Sequence, residues 1–474
     1  MGVRHQPNAA LRTVLAEVGW TGQELAAAVN AAGAEAGTAL RYDRTSVSHW
    51  LCGMRPRPPV PDLVAEALSR RLGRLQTATD IGLGPADRAA ILASHGGQGP
   101  RNGREGDLGL VAELARLSRL HPGTEARHQR TRPLCAYSLA ALGVPAWTQA
   151  GIPASASQLP DPGRTDQAGA LQASAAEAMA GMFYAGDDAF GGGHGRPALA
   201  AYLAVDLAPR LHARMSPGLR RRMLTITAQL TYLCAFMCFD DELHGMAQRY
   251  YTRALRLATE NDDPAGYAIT LRGMSVQAQL LGHHRHALQL AETAATTSRA
   301  MQPARQAFLY GQLAVAYAAD HDRINALASL TAAQRRLDRA SSPAHATIGG
   351  YHPAALAHQQ AAMQAILGDR KGAITALAES IRHRPPAERR SRAITLARLA
   401  ELQLRQGLLE EATLTWHRFL DDYPALNSGR ATTALKTLRA RVRPYSRNPV
   451  ARALLHRATT LQHDRCAPTS VREL

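Results

Sequence analysis

Arg44, Thr45, Ser46, Ser48 and His49 fall within residues 43–52, interleaved with Val47, Trp50 and Leu51. Arginine and histidine reach phosphates and guanine edges, and short hydroxyls bond either phosphates or bases. The apolar residues between them recur at helical spacing, so the polar ones share the outer face of one short helix. Arg55 and Arg57 follow, each beside a proline that fixes its direction, and suit phosphate clamping. Together these side chains have the chemistry to read double-stranded DNA. Trp50 belongs to the core behind them rather than to the contact.

Several short helices must position that face. Asn8 caps a first helix running to about residue 17, with Leu11, Val14, Leu15 and Val18 on one side, and Gly19 ends it. Thr21-Gly-Gln-Glu24 has the capping-box pattern and opens a second helix with Leu25, Ala28 and Val29 inward. Residues 33–42 form a connector longer than a tight turn. Asp43 caps the third helix, Gly53 stops it, and the proline-rich run 55–61 makes a stiff bridge to a fourth helix over 62–72. Arg70, Arg71 and Arg74 end that helix, where they favour its negative dipole end.

The whole chain is compatible with such a role. Its 474 residues suit two to four domains, and its net charge is +17, with only Lys371 and Lys436 as lysines. Arginine-rich basic charge permits nucleic-acid or anionic-surface binding without proving either. Five scattered cysteines give no disulfide framework and point to a reducing, cytoplasmic setting. No run approaches 18 apolar residues and no secretory pattern opens the sequence, so neither a membrane span nor export is expected.

Behind the first 75 residues the chain loosens. A candidate short helix over 85–94 and the glycine-rich run 96–106 read as a flexible linker, 76–106. Residues 107–169 read as a helical connector, with helices over 107–120 and 134–142 and an exposed linker over 151–169. From 170 to 474 the pattern is helical and repeats. Ala247, Ala287, Ala326, Ala373 and Ala412 recur at intervals of 40, 39, 47 and 39. Four residues on stand Tyr251, Ala291, Leu330, Leu377 and Trp416, and three beyond those stand Ala254, Ala294, Ala333, Ser380 and Phe419. One helix pair cannot bury its apolar face alone, but stacked pairs bury a continuous core and leave a concave inner surface. On the first helices of successive units, Arg272, Gln279, Tyr310, Gln312, Tyr317, His358, Gln359, Gln364 and Arg398 are candidate inner-face contacts for a peptide, small molecule or protein.

Other constellations carry less. Phe190-Gly-Gly-Gly-His-Gly-Arg196 lacks the lysine and spacing of a phosphate loop and reads as a sharp turn between helices 171–185 and 198–212. His283, His284 and His286 at an inter-helix turn read as solvated, and Cys234 and Cys238 as small core residues, so no metal and no cofactor is expected. No nucleophile elbow or zincin motif occurs, and no enzyme is expected.

The segments Gln23-Glu-Leu-Ala26, Thr45-Ser-Val-Ser-His-Trp50 and Gly53-Met-Arg-Pro56 resemble the Xre, or lambda-repressor-like, helix-turn-helix, with Pro56 one residue early. That resemblance places the early residues of the third helix in the major groove. The repeats resemble a tetratricopeptide array with units longer than the usual 34 residues or so; the unit at 393–424 fits best. Chain-wide, including Asp188-Ala-Phe-Gly-Gly-Gly-His194 and residues 137–147, the order of parts resembles actinobacterial regulators that join such a head to such repeats. The resemblance implies an all-α, dimeric transcriptional regulator, a repressor of development or secondary metabolism, whose repeats dimerise and sense a ligand. The alternative is a protein-interaction scaffold or peptide-signal receptor with little sequence-specific DNA binding.

Overall fold

The computed structural model describes residues 6–36, 38–84, 103–119, 136–139, 141–142, 144, 147, 163–213, 215–298, 301–340 and 351–466. Among them the chain is all-α, with no strand. The helix predicted over 85–94, the glycine-rich run up to 102 and most of the linker predicted over 151–169 lie outside the described residues.

The head begins with α1 (Ala9–Val18), capped by Asn8 Oδ1, which accepts from the Leu11 amide at 2.9 Å, and stopped at Gly19 with φ 70°. α2 (Gly22–Glu35) starts at the Thr21–Glu24 capping box and reaches further than its sequence suggests. Gly33 lets Leu40 close over its end, since a Cβ there would lie 2.5 Å from Leu40. The Asn30 amide bonds both the carbonyl and the N–H of Tyr42 at 2.9 Å, and the Thr38 amide donates to the Gly33 carbonyl at 2.8 Å, so the connector is pinned at both ends. α3 (Arg44–Leu51) and α4 (Val60–Leu72) follow, and Leu11, Leu25, Val29, Val47, Trp50, Leu63 and Leu68 form one core.

This unit does not stop at residue 75. Ser69 Oγ accepts from the Gln76 amide at 2.8 Å, Ile81 and Leu83 are buried in the head core, and Asn8 Nδ2 donates to the Ile81 carbonyl at 2.9 Å. Residues 76–84 therefore belong to the head, not to a linker.

Two more helices start inside stretches that read as linkers from composition: α5 (Gly103–Arg119) and α6 (Gly163–Phe190). The helix predicted over 134–142 is absent at residues 136–139, which run without helical structure. Tertiary partners explain this. Tyr137 is buried, and the backbone of 137–139 bonds the side chains of Arg70, Gln248 and Glu66. Only Gly191 separates α6 from α7 (Gly192–Tyr202), which passes through a π-helical turn, Leu203–Leu207, into α8 (Ala208–Leu211).

Among the described residues six helix pairs make up the body: α9 (Pro217–Asp240) with α10 (His244–Glu260), α11 (Pro264–Leu280) with α12 (His284–Thr297), α13 (Pro303–Ala319) with α14 (Arg323–Asp338), α15 (Pro353–Ile366) with α16 (Arg370–His383), α17 (Arg389–Arg405) with α18 (Leu409–Asp422), and α19 (Gly429–Val442) with α20 (Pro449–Cys466). The five aligned alanines, Ala247 to Ala412, are all essentially inaccessible, at 1% or less. A small residue there lets the second helix of each pair approach the first. The turns keep the same register: Glu242, Gly282, His321, Gly368 and Gly407 all take positive φ, between 58° and 88°. α9 is long and apolar enough to cross a membrane, but 83% of that window is buried inside the protein, as befits a core helix.

The array curves back on itself. Asn427 N–H donates to the Phe190 carbonyl at 2.6 Å and its own carbonyl accepts from Gly193 at 2.8 Å. Arg390 on α17 pairs with Asp187 on α6 at 3.0 Å. The first and last layers of the solenoid-like body thus meet, and its first helices surround a cavity.

Candidate nucleic-acid interface and a cationic cavity

On α3, Val47 and Trp50 face the core while Arg44, Thr45, Ser48 and His49 are exposed. Arg55 and Arg57 are exposed just beyond, and none of these three arginines makes an ion pair among the described residues. Ser46 is the exception. It is half-buried, and its hydroxyl donates to Asp43 Oδ1 at 2.7 Å while its amide donates to the same oxygen at 2.9 Å. The Ser46 side chain closes the cap of α3 rather than presenting a free hydroxyl. Those bonds hold the Asp43 carboxyl below its usual range. α3 packs against α2 and α1, so its outer face stays open.

The head docks on the body through α2 and α4, away from α3. Arg70 forks onto Glu35 at 2.9 and 2.7 Å, donates to Glu66 at 2.7 Å, and reaches the Tyr137 carbonyl at 2.9 Å. Ser138 and the Gln248 amide exchange two hydrogen bonds, at 2.7 and 2.6 Å. His283 does not face water as its sequence position suggests. It stacks on Tyr137 with centroids 5.7 Å apart and approaches Glu35 at 3.5 Å. Burial pushes the Glu35 carboxyl up, but the His283 and Arg70 bonds and charges outweigh it and hold the group below its ordinary value.

The cavity inside the array has a volume of ≈ 510 Å³. Arg272, Gln279, Gln312, His358, Gln359 and Arg398, all predicted inner-face residues, line it. Tyr310 and Tyr317 do not. Tyr310 lies under the Arg336 guanidinium, 4.0 Å from its ring centroid, and Tyr317 donates to Glu292 at 2.8 Å. Gln364 is likewise not among the lining residues. Phe236, Phe239, Phe308, Tyr351, Arg384, Arg390 and Arg430 also line it and lie outside the sequence expectation. Tyr351 and Gln359 share a hydrogen bond. Turned with its oxygen toward Arg272, the Gln359 amide accepts from that guanidinium at 3.2 Å. Burial, then the charges of Arg398, Arg384, Arg430 and Arg272, holds the His358 imidazole well below its ordinary value. Burial also pushes Arg430 down to about 10 and lowers Arg398, while it raises the Glu401 carboxyl at the rim. Among the described residues no group of His, Cys, Asp and Glu is placed to hold a metal ion.

A family model described as the SP15 N-terminal domain matches residues 11–84, which coincides with the head. No curated protein matches the chain.

Proposed function

We propose that this protein is a DNA-binding transcriptional regulator, in the terms of the resemblance a repressor, whose repeat body dimerises and receives a ligand. The observation that carries the reading is the α3 face: Arg44, Thr45, Ser48 and His49 project from a short capped helix while Val47 and Trp50 hold it on α1 and α2. Such an arrangement suits entry into a major groove, with Arg55 and Arg57 on the flanking phosphates. One head offers only a small contact area, and two heads carried by a dimer reading two half-sites raise affinity and specificity. The head–body junction uses surfaces other than α3, which is consistent with DNA access while the two are docked.

The test is binding-site selection from random duplex DNA with the full chain, followed by gel shift. The proposal expects one enriched sequence and loss of that preference in Arg44→Ala with His49→Ala. No enriched sequence, or a preference unchanged in that variant, overturns it.

A further inference from the structure

Six arginines and one glutamate line the cavity; Arg405 is exposed at its rim, and the other five arginines fall into two kinds. Arg384 and Arg390 are matched from behind the wall, by Glu388 at 2.6 Å and by Asp187 at 3.0 Å. Arg272, Arg398 and Arg430, from α11, α17 and α19, have no carboxylate within ion-pair distance among the described residues. Arg272 lies over the Phe308 ring at 3.9 Å and Arg430 over Phe239 at 5.0 Å. An aromatic face steadies a guanidinium but does not neutralise it. The polar neighbour of Arg398 is the His358 ring, 3.4 Å away, and Arg272 Nε is buried without a hydrogen-bond partner. All three are half-buried, and cations drawn part-way out of water without a countercharge are costly, so folds ordinarily pair or discard them. This chain pairs Arg384 and Arg390 and leaves these three facing one void.

We propose that the cavity binds a small organic dianion, an oxyanion head joined to an apolar body, with Arg272, Arg398 and Arg430 holding the head. The inference rests on the reading of the repeat body as a ligand receiver. Arg405, exposed at the rim, offsets Glu401, the one carboxylate of the lining, so Arg272, Arg398 and Arg430 leave more than one positive charge for an anionic head to satisfy. Guanidinium forks match carboxylate and phosphate oxygens bidentately. Val276, Val315 and Ile394 give the same cavity an apolar wall for the rest of the molecule. A volume of ≈ 510 Å³ falls in the range of small-molecule sites and is too small for a folded partner.

The test is calorimetric titration of the full chain with three probes that share a ring: phenyl phosphate, phenylmalonate and neutral benzyl alcohol. Saturable one-site binding of either or both anions, and none of the alcohol, is expected; which anion binds tighter tells a phosphate ligand from a dicarboxylate. Arg398→Met with Arg430→Met should weaken that binding at least tenfold, and Arg272→Gln, made separately, should weaken it as well. The empty double variant should melt no lower than the parent, because it loses unmatched charges. No saturable binding of either anion, equal binding of benzyl alcohol, or undiminished binding in both variants overturns the inference. A double variant that melts lower, with Arg272→Gln binding at parental strength, assigns the arginines a structural role and overturns it too. Sequence-selective DNA binding measured alongside keeps the two proposals apart: anion binding can fail while it persists, and it can fail while anion binding persists.

Discussion

Arg70→Met is the most informative single change at the head–body junction. The guanidinium, 18% exposed, serves two carboxylates, Glu35 and the 4%-exposed Glu66, and the backbone of residue 137. Methionine keeps the stem and removes every one of those bonds. Glu66 stays buried and Glu35 half-buried with diminished compensation: the Leu139 amide still donates to Glu66 at 2.9 Å, and His283 still approaches Glu35. Breaking a buried pair from one side costs about 3–5 kcal/mol. With those remaining donors the lower end, about 3 kcal/mol, applies. For a unit the size of the head, each kcal/mol moves the melting temperature by about 4–8 °C, so its transition should fall by roughly 12–24 °C in scanning calorimetry of the full chain. A cycle with Glu35→Gln should show strong overlap, because the second change removes the charge that the first stranded. A shift under about 2 °C, or effects that simply add, would mean that Arg70 does not hold these carboxylates in place. Glu35 is held below its ordinary value when folded, so its contribution is present above the usual glutamate range and is lost as pH falls through the lowered value.

Trp416→Ala should cost about 3–5 kcal/mol in denaturant unfolding, since the ring is fully buried and packs edge-on to Phe419 with centroids 5.3 Å apart. His244 is buried and pushed down to about 4, so the unfolded chain takes up a proton that the folded one refuses below the ordinary histidine range. Stability should therefore fall as pH drops from about 6.5 toward 4, by up to about 1.4 kcal/mol per pH unit for this group, and His244→Gln should flatten the slope; an unchanged slope removes His244 from the account. Gly192→Ala should destabilise more than Gly407→Ala: a Cβ at Gly192 meets the Met237 carbonyl at 2.6 Å, whereas Gly407, at φ 81°, has open space around it. Equal losses in thermal melts would mean that the α6–α7 joint yields to the added carbon.

Local signals in the sequence carried the head. Asn8, Thr21 with Glu24, and Asp43 each bond amides within their own first turn, so three helix starts were legible without any distant partner. The repeat register was legible for a similar reason: the aligned alanines and the positive-φ turns recur because every pair solves the same packing problem. The cavity was legible only in part. Phe308, Gln312 and Val315 follow one face of α13 at helical spacing, and that spacing turns Tyr310 and Tyr317 away. Polarity by itself does not mark the inward face of such a helix; a constant spacing does. Arg390 and Arg430 could not be seen, because they reach the cavity only when the last layers meet the first. The non-helical run at 136–139 was hidden for the same physical reason, as its partners Glu66, Gln248 and His283 lie far away in sequence.

The proposed binding of DNA by the α3 face stands or falls on its salt dependence. Binding of the full chain to its selected duplex should weaken linearly in log–log form as salt rises, because each phosphate neutralised releases counterions. Replacing Arg44, Arg55 and Arg57 by alanine should reduce that slope by about 0.9 for each phosphate that these side chains neutralise in the parent. A slope near zero, or one unchanged in the triple variant, would contradict the account.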